Sequence, residues 1–208
     1  MSKLSSLEYY YLQPTATLAD VNAFCNKAIA LNASLVSVPA LFIKQASAIL
    51  QSTAVGIAAS IGYPYGWTVT ESKLSEIIMA MVDGASEIDF YINLTALKNN
   101  DWQYLARELS TVLTVVRKQE KKLVIVADFG LLSTEEETRV CDLYGAAGVD
   151  GLCVNTHPDV QPNAAQVERV RNQLADAIPI KQICTTDTAV LPQVSKKVIW
   201  VKDVQDLT

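Results

Sequence analysis

Five side chains in this sequence could carry covalent or proton-transfer chemistry: Asp89, Asp128, Cys153, His157 and Lys181. A lysine amine condenses with an aldehyde or ketone to an imine, and a carboxylate or imidazole can move the protons that such a reaction displaces. A thiolate adds to an aldehyde or ester, and a neighbouring lysine would favour that thiolate. The stretch 148–158, Gly-Val-Asp-Gly-Leu-Cys-Val-Asn-Thr-His-Pro, gathers the largest number of polar tips. In an extended strand Cys153, Asn155 and His157 share one face, because side chains alternate with a period of two. His157 is the single histidine, so any Ser-His-Asp triad or histidine metal site would have to be built around it. A turn or capping role ahead of Pro158 is the competing reading. Cys153 likewise reads either as a nucleophile or as a buried space-filler.

The elements that must position these residues follow from the hydrophobic pattern. Short apolar runs at 7–12, 34–38, 56–60, 88–92, 123–127, 151–155, 180–183 and 198–201 read as strands. Amphipathic segments at 18–30, 40–50, 71–82, 102–118, 134–144 and 164–174 read as helices between them. Such alternation specifies a parallel sheet with helical crossovers. Eight strands in 208 residues fit a compact (β/α)8 TIM barrel, a single domain over 1–208, better than an open doubly wound sheet. No Gly-x-Gly-x-x-Gly follows the first strand to support a dinucleotide fold. Thr17 with Asp20, and Ser133 with the three glutamates after Thr134, read as helix N-termini. The crossover at 188–195 is too short for more than about two helical turns, and nothing helical is expected after Val201. Strands eight and one are therefore expected to expose apolar surface, which a partner subunit would cover.

In a barrel of this kind the site lies at the C-terminal strand ends. Those ends carry Tyr9 to Tyr11, Val38 and Pro39, the run from Gly62 to Gly66, Asp89 and Asn93, Asp128, then Cys153, Asn155 and Thr156, and finally Lys181. Carboxylates and one lysine in an aromatic mouth are the materials of imine and acid–base chemistry. The alternative is that Lys181 is a buried lysine neutralising Asp89 or Asp128, since buried charges must be paired.

Composition bounds the rest. Half the residues are hydrophobic and the formal charge is −5, which suits a globular domain with a full core and disfavours nucleic acid, whose phosphates attract basic surfaces. Lys196, Lys197 and Lys202 are the one basic cluster of note, read as a solvated edge. No apolar run is long enough to span a membrane, and residues 1–6 lack a leader pattern, so a cytoplasmic protein is expected. Four cysteines at 25, 141, 153 and 184 without metal-ligand spacing read as reduced core residues. Neither a metal nor a cofactor is expected.

Several segments resemble the deoxyribose-phosphate aldolase family. Residues 14–21 (Pro-Thr-Ala-Thr-Leu-Ala-Asp-Val) look like its first strand–helix junction, and residues 62–66 (Gly-Tyr-Pro-Tyr-Gly) like its Gly-Phe-Pro-x-Gly. Residues 87–102 (Glu-Ile-Asp-Phe-Tyr-Ile-Asn-Leu-Thr-Ala-Leu-Lys-Asn-Asn-Asp-Trp) are close to its fourth strand and following loop, and residues 127–136 are similar to its fifth. The resemblance implies a lyase that splits a sugar phosphate through a Schiff base. In that family a strand-six lysine attacks the carbonyl, a strand-seven lysine lowers its pKa, and a strand-four aspartate handles protons. By position Asp89 takes the aspartate's place and Lys181 that of the strand-seven lysine. Cys153 stands where the family has its nucleophile, and a thiol forms no imine. Tyr9 and Tyr10 replace the His and Thr of an Asp-His-Thr motif. The segments 182–185 and 200–203 replace the glycine-rich turns that bind phosphate, leaving Thr156 and Lys202 to attract one.

Lys181 is the remaining candidate amine. An ordinary lysine is almost wholly protonated at neutral pH, and neighbouring carboxylates deepen that state, so burial alone would have to activate it. Two functions of different kinds are expected to compete. One is an aldolase-like lyase on a small aldehyde or ketone, with Lys181 as amine, Asp89 as proton carrier and Cys153 as a further reactive group. The other is a non-catalytic relative that binds a metabolite or a protein. In either case Asn93, Asp128, Asn155 and Thr156 are the expected contacts to a small aldehyde or sugar, and the chain is expected to form a homo-oligomer.

Overall fold

The computed structural model describes residues 7–207, so the expectation about residues 1–6 lies outside the described residues. Eight parallel strands close into a barrel in sequence order. They are β1 (Glu8–Tyr10), β2 (Leu35–Ser37), β3 (Gly56–Ile61), β4 (Glu87–Tyr91), β5 (Lys122–Val126), β6 (Gly151–Cys153), β7 (Ile180–Cys184) and β8 (Lys196–Trp200). The helices are α1 (Leu18–Ala30), α2 (Ile43–Leu50), α3 (Thr70–Val82), α4 (Leu94–Lys98), α5 (Trp102–Lys118), α6 (Thr134–Ala146) and α7 (Ala164–Gln173). This is the (β/α)8 architecture that the alternating pattern specifies. The segment 40–50 divides into a 3-10 turn (Ala40–Phe42) and α2, and α4 is an added turn in the loop after β4.

Alternation along the strands divides the interior in two. Tyr10, Leu35, Ala58, Tyr91, Val124, Val126, Cys153, Ile183, Val198 and Trp200 form one buried cluster in the lumen. The larger cluster lies between sheet and helices and takes Tyr9, Tyr11, Val36, Ile57, Ile88, Phe90 and Leu152 together with the inner faces of the helices. A closed small barrel has room for side chains only, so its lumen is a packed core. The helices begin where the sequence places caps. Thr17 and Ser133 each accept from the third residue on, and Asp20 and Glu136 reach back to close the box. Asn163 with Gln166 makes a third such box on α7.

The expectation of exposed apolar surface on β8 and β1 is corrected. A 3-10 turn (Val204–Asp206) follows β8 and returns over α1. Lys27 donates to the carbonyls of Val204 (2.7 Å), Gln205 (3.2 Å) and Leu207 (2.9 Å). Val201, Val204 and Leu207 are buried. The chain thus covers this flank with its own last residues, and large exposed apolar side chains lie elsewhere, including Ile78, Met79 and Val82 on α3. Lys196 is not a solvated edge either: it is half-buried and bonds Glu8 at 2.9 Å. Among the described residues, no helix is long and apolar enough to cross a membrane. The four cysteines are free and buried.

Candidate active site

The lumen is stratified. At its floor Glu8 and Glu87, the first residues of β1 and β4, reach toward the ammonium of Lys181, the second residue of β7. Lys181 Nζ lies 2.7 Å from Glu8 and 2.5 Å from Glu87, and Lys196 closes the group from outside. Lys181, Glu8 and Glu87 are almost wholly inaccessible. Burial works to strip the proton from Lys181, but Glu87, Asp89 and Glu8 outweigh it and hold the amine well above the ordinary lysine range. Burial likewise raises Glu8, and Lys181 and Lys196 together pull it below its usual value. The strand pattern predicts Lys181 at the mouth, beside Asp89 or Asp128. The structure instead points its ammonium to the floor, because β7 enters the barrel only one residue before it.

Above the floor stands Asp89, the third residue of β4, accepting a hydrogen bond from Tyr10. Its other carboxylate oxygen has no partner among the described residues. Burial, with Glu87 and Glu8 adding repulsion against the pull of Lys181 and Tyr10, pushes its pKa up to about 7. Cys153, in register with Lys181 on β7, donates its thiol to the Asn155 carbonyl at 3.3 Å. Burial holds that thiol far above the ordinary range. At neutral pH Cys153 is therefore a protonated, enclosed thiol, and the weak nucleophile this leaves is the opposite of a reactive cysteine's environment.

The mouth is closed by aromatic rings. Trp200, the last residue of β8, is buried beneath Tyr63 (ring centroids 6.3 Å apart, stacked) and His157 (4.7 Å, edge-on). Tyr63 also meets Tyr91 edge-on at 5.4 Å. Tyr63 belongs to the loop from Gly62 to Gly66, whose close path against β4 requires glycine: a Cβ on Gly66 would lie 2.2 Å from the Ile92 carbonyl oxygen. His157 accepts from the Asp159 amide at 3.3 Å, the local role anticipated for a histidine ahead of a proline.

The four expected ligand contacts all serve local structure. Asn93 caps α4 by accepting from Ala96. Asn155 accepts from the Ile183 amide and donates to the Ile183 and His157 carbonyls, tying the end of β6 to β7. Asp128 accepts from the amide and hydroxyl of Thr156 at 2.9 and 2.7 Å. Burial raises the Asp128 carboxyl, and the two Thr156 bonds oppose that rise. Cys153, Asn155 and His157 do not form one face, because β6 ends at Cys153 and the chain turns. Asp89, Cys153 and Lys181 do share the lumen, while Asp128 and Thr156 form a separate pair near its mouth. Past the ends of β7 and β8 lies a cleft of about 260 Å3 lined by Thr185, Thr186, Asp187, Trp200, Lys202 and Asp203, among others. With two acids to one lysine it is poorly suited to a phosphate. Among the described residues no three His, Cys, Asp or Glu are grouped to hold a metal.

Glu8 and Glu87 escaped the sequence reading. Glu87 could have been found, because a period of two places it on the same face as Asp89. Glu8 sits in an apolar run and gives no such signal.

Comparison with known proteins finds clear relatives. The chain is 32% identical over 165 residues to the deoxyribose-phosphate aldolase of Aciduliprofundum boonei, covering 79% of this chain and 73% of that protein. It is 34% identical over 167 residues to the enzyme of the same name from Thermococcus gammatolerans, again covering 79% and 73%. The crystal structure of a putative deoxyribose-phosphate aldolase from Coccidioides immitis superposes with a TM-score of 0.83 at 22% identity, over 92% of this chain and 79% of that one. No family model matches the chain.

Proposed function

Given that the chain belongs to the deoxyribose-phosphate aldolase family, we propose that it is a member that has given up imine chemistry and serves as a non-catalytic binding barrel for a small aldehyde or sugar. The observation that carries this reading is the pairing of Lys181 with both Glu8 and Glu87. Imine formation needs a neutral amine with a lone pair directed at a carbonyl carbon. Lys181 is doubly paired, faces the floor and is held protonated, so releasing it would leave two buried carboxylates facing one another. Cys153 offers no replacement, since an enclosed thiol has neither the charge nor the access. The acidic cleft beyond β7 and β8 favours an unphosphorylated ligand over a sugar phosphate.

A second reading, residual aldolase-type lyase activity, is favoured by Asp89. A carboxyl brought to about 7 suits a proton carrier at neutral pH. Borohydride trapping with acetaldehyde and sugar aldehydes, followed by mass mapping, separates the two. The expected result is no adduct on Lys181 and no cleavage of deoxyribose 5-phosphate. A reduced imine mapped to Lys181 would overturn the first reading and establish the second. Cys153→Lys asks whether the rest of the site survives: an adduct at position 153 with regained cleavage would mean that only the amine had been lost.

A further inference from the structure

Between β6 and α7 the chain runs through residues 154–163 without regular structure. The backbone of this segment is tied down on both sides of His157. The His157 carbonyl accepts from the Asn155 side chain at 3.0 Å and from the Val160 amide at 3.1 Å. Gln161 donates to the carbonyls of Pro158 at 2.8 Å and Ile183 at 2.9 Å. The imidazole is therefore the part that can swing, and it is 32% exposed. It packs edge-on against Trp200, which is 6% exposed. Its Nδ1 lies 3.3 Å from the Asp159 amide nitrogen and equally 3.3 Å from an Asp159 carboxylate oxygen. An amide needs an acceptor and a carboxylate needs a donor, so one ring nitrogen serves only one of them at a time. The proton on that nitrogen decides which.

We propose that His157 is a proton-operated latch on the mouth of the barrel: the imidazolium holds its ring against Trp200 and Asp159, and the neutral ring lets go more readily. Protonation turns the Nδ1 contact from an accepted amide bond into an ion pair with Asp159. That pair contributes little by itself, because the Asp159 side chain is 74% exposed. The larger part comes from Trp200, whose ring centre lies 4.7 Å from that of the imidazole, inside the range of about 6 Å over which a cation is drawn to an aromatic ring. The charged groups facing His157 are Asp159 on its own segment and Asp128 beyond β5, which is within electrostatic reach of it. Both are acids and favour the imidazolium. From β8 it meets the indole of Trp200, and the phenol of Tyr63 covers the same indole. Histidine side chains exchange their proton between about pH 5 and 8, so the mouth is expected to be held shut in acid and to open more often in base. A ligand in the lumen would then exchange more slowly at the acid end. That consequence rests on the reading of the chain as a binding barrel; the latch itself does not.

Acrylamide quenching of Trp200 fluorescence tests the latch on the intact chain, with Trp67→Phe and Trp102→Phe leaving Trp200 as the one indole. The quenching constant is expected to be about two- to fivefold smaller at pH 5 than at pH 8, the ratio that a cation–aromatic contact at a partly exposed site supports. His157→Gln is expected to abolish the pH dependence and leave Trp200 accessible throughout. His157→Phe keeps a ring against the indole without a proton to gain, and is likewise expected to give quenching that does not vary with pH. Asp89→Asn is expected to leave the dependence whole, which separates the latch from the carboxyl that titrates at about 7 beneath it. Quenching indifferent to pH in the parent overturns the proposal, as does a dependence that survives either change at His157. A dependence lost in Asp89→Asn assigns the effect to the lumen carboxyl and overturns it too. No ligand enters these measurements, so their failure leaves the binding reading untouched, and borohydride trapping tests that reading separately.

Discussion

Among the described residues two lysines are buried in this barrel, and their surroundings differ in a way that bears on what each can do. Lys73, on the inner face of α3, lies outside the strands. It bonds one carboxylate, Glu108, at 3.1 Å and the Tyr91 carbonyl at 3.2 Å, with the Phe90 ring 4.5 Å away. Burial outweighs Glu108 and the added charge of Glu76 and lowers its pKa. Lys181, inside the strands, is bonded by two carboxylates, Glu8 and Glu87, with the charge of Asp89 added, and is pushed the other way. Burial alone therefore does not set a lysine's protonation; the number of carboxylates around it decides the sign. The lysine placed nearer the expected chemistry is the one least able to perform it. The lysine with the lowered pKa is a pillar between α3, α5 and β4.

The largest expected effect removes the lumen cation. Lys181→Met leaves Glu8 and Glu87 buried with Lys196 as their remaining neighbour, and loss of one partner from a buried ion pair typically costs about 3–5 kcal/mol. Urea unfolding at neutral pH measures it. A loss below about 1 kcal/mol would mean that the lumen carboxylates take up protons without strain, and the contrast between the two lysines would collapse.

Asp89 sharpens the contrast through pH. Its folded pKa of about 7 lies above the ordinary 3.8, so the folded state retains a proton that the unfolded state has released. The stability this gives is complete below the unfolded value and is lost as pH rises through about 7. Asp89→Asn is expected to remove that fall. Near pH 8 the variant should exceed the parent by on the order of a few kcal/mol, with the gap closing toward about pH 4. Parallel stability profiles for the two proteins would show that Asp89 stays ionised throughout.

Smallest is the change at the outer lysine. Lys73→Met strands one carboxylate, and Glu108 still accepts from the hydroxyls of Thr70 and Tyr104, each at 3.2 Å. A loss of about 1–3 kcal/mol is expected by the same unfolding measurement, the scale for a buried group that loses one of several partners. A cost equal to that of Lys181→Met would mean that carboxylate number does not distinguish the two sites.

Much of the barrel could be read directly because its signals are local. The apolar runs of β3, β4, β5 and β7, the cap at Thr17 and the box at Ser133 each depend on residues within a few positions of one another. The readings that failed required contacts from afar. The last residues were expected to leave β8 and β1 bare, yet they cover that flank through Lys27, whose bonds reach 177 to 180 residues along the chain. Asn155 looked like part of a polar tip, but its amide is committed to Ile183, 28 residues away.

By itself the sequence determined the alternation that closes the barrel and the motifs whose resemblance points to its family. These are matters of residue identity and short-range period, and folding does not alter them. Only the tertiary structure decided that Lys181 belongs to Glu8 and Glu87, which lie 173 and 94 residues away. Strand tilt and stagger set which side chains share a level of the lumen, and no local pattern records that geometry. The same closure brought Trp200, Tyr63 and His157 together over the mouth.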